Sequence, residues 1–547
     1  MPEVVFRIMA GRLSRNEASC VQHDQQTPET GSVGTDVDVL IVGSGPVGAA
    51  YARILSMAFP AASLLMVDRG PMLSELPGTN LKNFLKNGAL SGDPAGTGHA
   101  DAIPVVPAAS LARSGTQLID PRGPRAGHMP AAAVSTNVGG MGAHWSCATP
   151  APADDERVGW LPDEEWQRLL SVAGRLLNSS TSAFAESARG AAIIDALAAE
   201  LGDRLDRPVQ VMPHACQRLP DGRLSWTGTD TVLGPLARGA NGGPAPDARF
   251  ELRPDTLCRR LEVRGGTVTG AEIEHLPTGR REKVTARAVV VACDSLRTPQ
   301  LLWASGIRPA ALGRYLNEHP MVGATVVLTD DAAKRAAQFV GEDAASDFDG
   351  DPLAAVWVPY SALGHRFSGQ IATSPGSPAG FAVAGLENAP KSRVVSLTWF
   401  CPKELSPDDR IEFTEELDEH GMPVPELHYR LTPQDERVVA TAIELTARAG
   451  AAFGEFVPGE EPKLLADGQS LHYMGTVRIG EADDGTCVCD DYSRVWGFQN
   501  LYVGGNGVIP TATACNPTLT SVAFAVRAAE QLAASLGGSS TSAPPSN

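Results

Sequence analysis

The residues best suited to chemistry cluster toward the two ends of the chain. Near the amino terminus, Gly43-Ser44-Gly45-Pro46-Val47-Gly48 follows a short apolar run, Val39 to Val42, and leads into the small-residue stretch AAYARILSMA. A second apolar run, SLLMVD, ends at Asp68, twenty residues past Gly48. The order is strand, glycine-rich turn, helix, strand, acid. Gly43 permits the tight turn, Gly45 lets the backbone approach a pyrophosphate, and Gly48 lets the helix pack on the strand. The helix start offers amide donors and the positive end of its dipole to phosphates, and Asp68 can accept from ribose hydroxyls. The pattern reads as a dinucleotide site, and by itself it does not separate FAD from NAD.

Three further segments carry candidate groups. In STNVGGMGAHWSCATP, residues 135–150, Gly139 and Gly140 allow a loop to press flat on a ring system. His144 follows, with no nearby carboxylate and Cys147 alone close by, too few groups for a metal site, so on the residues alone it reads as a satisfied structural histidine. SLHYMGTVRIG carries His472, a side chain of the right type for a general base at working pH, or for a structural role beside a glycine turn. In LYVGGNGVIPTATACNPTLTSVAFAVRAAEQLAASL, Leu501 to Val503 form a strand and Gly504-Gly505 a close-approach turn. Asn516 is an apt N-cap and Pro517 an apt first helical residue. The apolar, Ala-rich helix from Thr518 should be buried, and its start, aimed at a cofactor, would stabilise negative charge there.

These groups need elements to hold them. The span from Phe250 to Leu276 alternates as β-structure with a Gly-Gly turn, AVVVAC (Ala288 to Cys293) is a buried strand, and DSLRTPQLLWASGI is a helix ending ahead of GRYLNEHP. The whole chain has 547 residues, 43% hydrophobic and 20% charged, enough for a large core and unlike a disordered chain. Its net charge of −18 and pI near 5.1 argue against nucleic-acid backbone binding. Mean hydropathy is −0.08 and no apolar run reaches membrane-spanning length. The segment MPEVVFRIMAGRLSRNE does not read as a secretory signal. Nine cysteines are an odd, dispersed set, and the Cys487-Val-Cys489 pair lacks a zinc-site partner; no metal site and a cytoplasmic location are expected.

Taken together, the dinucleotide turn, TPQLL at Thr298 to Leu302, NEHP at Asn317 to Pro320 and the terminal NPTLT helix resemble the glucose–methanol–choline (GMC) flavoprotein oxidoreductases. Within them the likeness is to pyranose 2-oxidase and the bacterial glycoside 3-oxidases. The resemblance implies an α/β fold, with an FAD-binding Rossmann-like domain interleaved with an α+β substrate-binding domain that has a large β-sheet. It implies FAD as cofactor, with His144 at the position of covalent attachment to the flavin 8α-methyl and Ser146 in place of a threonine near flavin N5. It also places Gly505, Pro517 and Thr518 beside the cofactor and Cys258 in the strand along the adenosine. His472 and Asn516 match the family's catalytic pair, and Gln370 lies at the substrate.

The implied reaction removes a hydride from carbon 2 or carbon 3 of a pyranose sugar or glycoside, with reoxidation by O2 or a quinone-type acceptor. An NAD-dependent dehydrogenase, a GMC enzyme of a non-sugar alcohol and a flavin-binding sensor are the competing readings. Departures from the family bear on specificity. Val477 replaces a histidine of the fungal enzymes, and Gln370-Ile371 is followed by ATSPGSPAG, which has no acid or aromatic anchor. A head segment is short between Asp330 and Pro359. Residues 76–130 lack a clear oligomerisation arm, so a monomer or weak dimer is expected. The expected division is a flexible arm at 1–36, FAD-binding parts at 37–160, 246–320 and 466–536, a cap segment at 161–245, a substrate domain at 321–465 and a disordered tail at 537–547.

Overall fold

The structure, a computed structural model, describes residues 35–85, 116–118, 128–238, 249–340, 353–373 and 393–538. The run ATSPGSPAG past Thr373, most of 76–130 and residues 341–352 of the shortened head lie outside the described residues, as do 1–34 and 539–547. The first strand begins at Thr35, inside the expected arm, and the last helix runs to Gly538, past the expected start of the tail.

A seven-stranded sheet forms the dinucleotide half. Strand β1 (Thr35–Val42) lies between β2 (Leu64–Val67) and the end of β6 (Arg280–Val291), all parallel. β3 (Phe250–Arg253) extends the sheet parallel to β2, and β11 (Leu501–Val503) pairs in parallel with β6. β4 (Thr256–Arg264) and β5 (Thr267–His275) form the antiparallel hairpin expected from the Gly265-Gly266 turn, and β5 pairs with β6. The central strands are unbroken apolar runs because both faces are covered. Val39, Leu40, Ile41, Leu65, Met66 and Val289 to Val291 are fully buried.

Helix α1 (Pro46–Ala58) presents Ala49, Ala50, Tyr51 and Ala52 inward, and Tyr51 Oη donates to the Val503 carbonyl at 3.1 Å. Trp166 of α2 (Asp163–Leu176) meets Phe524 of the last helix, α6 (Thr518–Gly538), at 5.8 Å between rings.

The chain leaves this sheet at Val291, runs through α4 (Asp294–Ala304) and builds a second, antiparallel seven-stranded sheet from β7 (Met321–Leu328), β8 (Ala355–Val358), β9 (Ser368–Ala372), β10 (Val394–Phe400) and three short edge segments. Its own core includes Val322, Val326, Leu397 and Trp399, packed with α3 (Ala188–Leu201) and α5 (Pro433–Ala451). α5 starts with Pro433 after a capping box, in which Thr432 Oγ1 accepts from Asp435 N at 3.1 Å and Asp435 Oδ2 from Thr432 N at 2.8 Å. The return to the first sheet at Leu501 brings His472 and Asn516 back beside it. The dinucleotide strands thus come from three separated stretches, with the second sheet inserted between them.

Candidate active site

The glycine turn has the geometry its spacing predicts. A Cβ on Gly43 (φ +103°) would lie 2.3 Å from the Ala292 oxygen, and one on Gly48 would lie 2.1 Å from the Gly43 oxygen. Gly45 is different: a Cβ there would meet only the Gly139 oxygen, at 4.0 Å. Its outer face is therefore open, as close approach of a pyrophosphate requires. Gly45 is also the N-cap of α1 and makes no side-chain cap, so the first amides of that helix are left for another acceptor. Thr136 Oγ1, on the loop facing this turn, is buried without a hydrogen-bond partner among the described residues. These features fit a bound dinucleotide.

Asp68 sits at the end of β2, buried, and its carboxylate is already engaged. Oδ2 accepts from Ser44 N at 3.1 Å and Ser44 Oγ at 2.6 Å, and Oδ1 accepts from Gly70 N at 2.8 Å. Burial pushes its pKa upward, against the hydrogen bonds from Ser44 and Gly70. Ser44 Oγ in turn accepts from Gly139 N at 2.8 Å, and Gly140 lies against Gly45. Asp68 thus braces the turn through Ser44, and the 139–144 loop is brought to the same place. Cys258, in β4, is buried with its thiol pushed up to about 12 by burial; its strand starts beside Asp68, where Thr256 N donates to the Asp68 carbonyl at 2.7 Å.

His144 is 4% exposed, and burial lowers its pKa to about 4. Its Nε2 lies 2.8 Å from both Ser135 Oγ and Asn137 Oδ1. Ser146 is half-buried two residues on, and its carbonyl accepts from Lys82 Nζ at 3.3 Å. Gly505 (φ +108°) turns the chain away from β11 and backs onto Asp294. Asn516, Pro517 and Thr518 form the entry to α6.

At the other end of the site, His472 and Asn516 come together. Asn516 Nδ2 lies 3.5 Å from His472 Nε2. Gln370 Nε2, from β9, donates to Asn516 Oδ1, so the predicted substrate-side glutamine touches the catalytic candidate directly. His472 keeps a partly accessible face on the site yet is enclosed elsewhere, and burial lowers its pKa to about 4. Phe400 packs on it with ring centroids 5.0 Å apart.

Three groups had no assigned role in the sequence. His319 lies beside His472, with Nδ1 atoms 3.0 Å apart. Asn317 and Met474 exchange backbone hydrogen bonds at 3.0 and 2.7 Å, and the same antiparallel register continued two residues sets His319 opposite His472. The only signal for it was its place in NEHP. Val477, standing where the fungal enzymes have a histidine, is a fully buried core residue, so the neighbouring imidazole comes from a different segment. Glu318, 1% exposed, accepts from Gly468 N, Ser470 N and Ser470 Oγ at 2.9, 2.9 and 2.6 Å and fixes the approach to His472. Glu156 Oε1 accepts from Thr513 Oγ1, Ala514 N and Cys515 N at 3.0, 2.7 and 3.1 Å, immediately before Asn516.

Comparison with known proteins agrees with this arrangement. Residues 247–321 and 407–525 match the GMC oxidoreductase family. The chain is 42% identical over 511 residues to a C-glycoside 3-oxidase of Microbacterium trichothecenolyticum, covering 91% of this chain and 96% of the relative. It is 41% identical over 523 residues to a C-glycoside 3-oxidase of Arthrobacter globiformis, covering 91% and 95%. It is 32% identical over 554 residues to a pyranose 2-oxidase of Tricholoma matsutake, covering 91% and 94%. Pyridoxine 4-oxidase from Mesorbium loti shares the fold, with a TM-score of 0.58 at 17% identity over 90% of this chain and 98% of that one. With its glycine turn, interleaved sheets and late His–Asn pair, the chain belongs to the flavin-dependent GMC oxidoreductase family, in the group of the pyranose and glycoside oxidases.

Proposed function

We propose that the protein oxidises a secondary hydroxyl of a pyranose sugar, at carbon 2 or carbon 3, to the keto-sugar, and that a glycoside oxidised at carbon 3 is the preferred case. The His472–Asn516 pair, set opposite a dinucleotide turn, carries this reading. Two relatives above 40% identity that are C-glycoside 3-oxidases support the glycoside.

The side chains divide the work. His472 is neutral at working pH because burial lowers its pKa, so Nε2 offers a lone pair to the substrate hydroxyl proton. A placed general base is worth about 10²–10⁴ in rate. Asn516 Nδ2 points to the same place and can donate to the substrate oxygen, and Gln370 holds the other end of that amide. When bound, FAD supplies the acceptor for the hydride that leaves the carbinol carbon. Gly43, Gly45, Gly48, Gly139 and Gly140 would hold its phosphates and press on the ring system, with Asp68 and Cys258 on the adenosine side and Ser146, Gly505, Pro517 and Thr518 toward the flavin.

The engagement of His144 Nε2 by Ser135 and Asn137 favours FAD held without a covalent bond from that nitrogen. Acid precipitation should release the yellow colour, and colour retained by the pellet would overturn this point. Reoxidation by O2 giving H2O2, or by a quinone-type acceptor, completes the cycle. The division into three FAD-binding parts, a cap segment and a substrate domain is proposed as set out from the sequence, as is a monomer or weak dimer. No helix of the described residues is long and apolar enough to cross a membrane. The eight described cysteines are free, which supports the proposed cytoplasmic location.

The test of the function is a panel of free sugars and glycosides, with flavin reduction followed anaerobically and the oxidised carbon assigned by NMR. Reduction by a glycoside with product oxidised at carbon 3 is the expected result. Reduction only by a non-sugar alcohol would overturn it.

A further inference from the structure

His319 is 1% exposed, and its ring stands nearly perpendicular to that of His472, with centroids 5.0 Å apart and an interplanar angle of 80°. Two ring nitrogens 3.0 Å apart can face each other only if one carries a hydrogen and the other a lone pair. The surrounding contacts set the direction. Gln370 Nε2 donates to Asn516 Oδ1, which turns Asn516 Nδ2 toward His472 Nε2 and requires a lone pair there. The hydrogen of neutral His472 is then on Nδ1 and points at His319 Nδ1. On the far side, His319 Nε2 is buried without a hydrogen-bond partner among the described residues, and with Nδ1 acting as the acceptor it carries the hydrogen of the neutral ring. Gln370, Asn516, His472 and His319 therefore form one chain of donors and acceptors with a single polarity.

We propose that His319 is the second station of a proton relay, taking the Nδ1 proton of His472 as His472 Nε2 takes the substrate hydroxyl proton. This deepens the reading of His472 as base and rests on it. The substrate O–H bond breaks as the His472 Nε2–H bond forms, and the His472 Nδ1–H bond breaks as the His319 Nδ1–H bond forms. His472 ends neutral with its hydrogen on Nε2. His319 ends as the imidazolium, with a hydrogen on each ring nitrogen. Neither ring is oxidised or reduced; the hydride leaving the carbinol carbon goes to the FAD of the proposed reaction. The positive charge then lies one ring farther from the reacting carbon; burial and the neighbouring His472 push the His319 pKa well down, so this imidazolium is a transient formed as the substrate proton moves.

The test uses the FAD-loaded full chain labelled with ¹⁵N-histidine. The resting wild type should show His472 protonated on Nδ1 and a ¹⁵N–¹⁵N coupling across the Nδ1···Nδ1 hydrogen bond. A proton on His472 Nε2, or no coupling, would overturn the relay whether or not any variant folds. In single-turnover reduction by the best substrate of the panel, the wild-type rate should curve in H2O/D2O mixtures, as two protons in flight require. His319→Asn keeps an acceptor oxygen near the Nδ1 position but cannot take the proton. It should reduce at least about tenfold more slowly with a linear solvent dependence. Wild-type speed in that variant, or a linear wild-type dependence, would overturn the proposal. His472→Ala keeps the two failures apart: if it reduces normally, the base assignment falls, and if it is dead while the wild-type dependence is linear, only the relay falls.

Discussion

Replacing Glu156 by alanine should slow the reaction although Glu156 makes no described contact with His472 or Asn516. Its carboxylate is 3% exposed and takes four hydrogen bonds, three of them from residues 513–515 and one from Ala153 N at 2.7 Å. Removing it strands the buried amide of Ala514 and the half-buried amide of Ala153. That of Cys515 keeps Thr513 Oγ1 at 2.9 Å as an acceptor. A buried unsatisfied amide costs about 1–3 kcal/mol and a half-buried one that water can reach costs less, so the variant should lose about 1–4 kcal/mol. With about 2 cal/mol/K of unfolding entropy per residue, each kcal/mol moves Tm by about 1 °C in a chain of this size. The larger effect is on rate. Asn516 follows the loosened segment directly, and a displacement of about 1 Å costs on the order of 10²-fold. The assay is anaerobic flavin reduction by sugar, alongside FAD content and Tm. Glu156→Ala should keep its FAD, lose a few degrees of Tm and reduce at least about tenfold more slowly. Glu156→Gln, which can still accept from Ala514 and Cys515, should fall between. Wild-type reduction by the alanine variant would refute the clamp.

Two further substitutions test other parts of the structure. Gly45→Val should leave the fold intact, because the added atoms enter open space, but lower FAD content severalfold. Gly48→Ala should fail to fold, because its Cβ would sit 2.1 Å from the Gly43 oxygen; absorbance near about 450 nm per protein and the yield of folded apoprotein distinguish the two. Glu318 is raised from 4.5 to about 7 by burial, against the hydrogen bonds from Ser470 and Gly468. A raised folded pKa gives stability that is full below about pH 4.5 and lost as pH rises through about 7. Glu318→Gln cannot titrate, so wild type should lose about 2–3 kcal/mol relative to it between pH 5 and pH 8, measured as the difference in Tm; a constant difference would refute the assignment.

The dinucleotide turn was legible because its logic is local. Gly43, Gly45 and Gly48 each answer a demand made by neighbours a few residues away, and the apolar run before them could only be a doubly covered strand. The Phe250–His275 hairpin was legible by alternation, and α6 by its Asn-Pro start. What escaped notice depends on contacts between distant segments. His319 meets His472 through a register set 153 residues apart, and Glu156 reaches residues more than 350 positions later. Both are hydrogen-bond acceptors with no periodic signature. Asp68 was recognised as an acid in the right place, but that its carboxylate would brace Ser44 and Gly70 could not be read from spacing. Gln370 came from the resemblance alone, and only the second sheet's geometry brought it to Asn516.

The most direct test is anaerobic reduction of FAD-loaded His472→Ala by the substrate that reduces wild type best. The protein should remain yellow and folded, with bleaching slowed by about 10²–10⁴ as expected for loss of a general base. Bleaching at the wild-type rate would contradict the account, because the hydroxyl proton would then have to leave by a group other than His472.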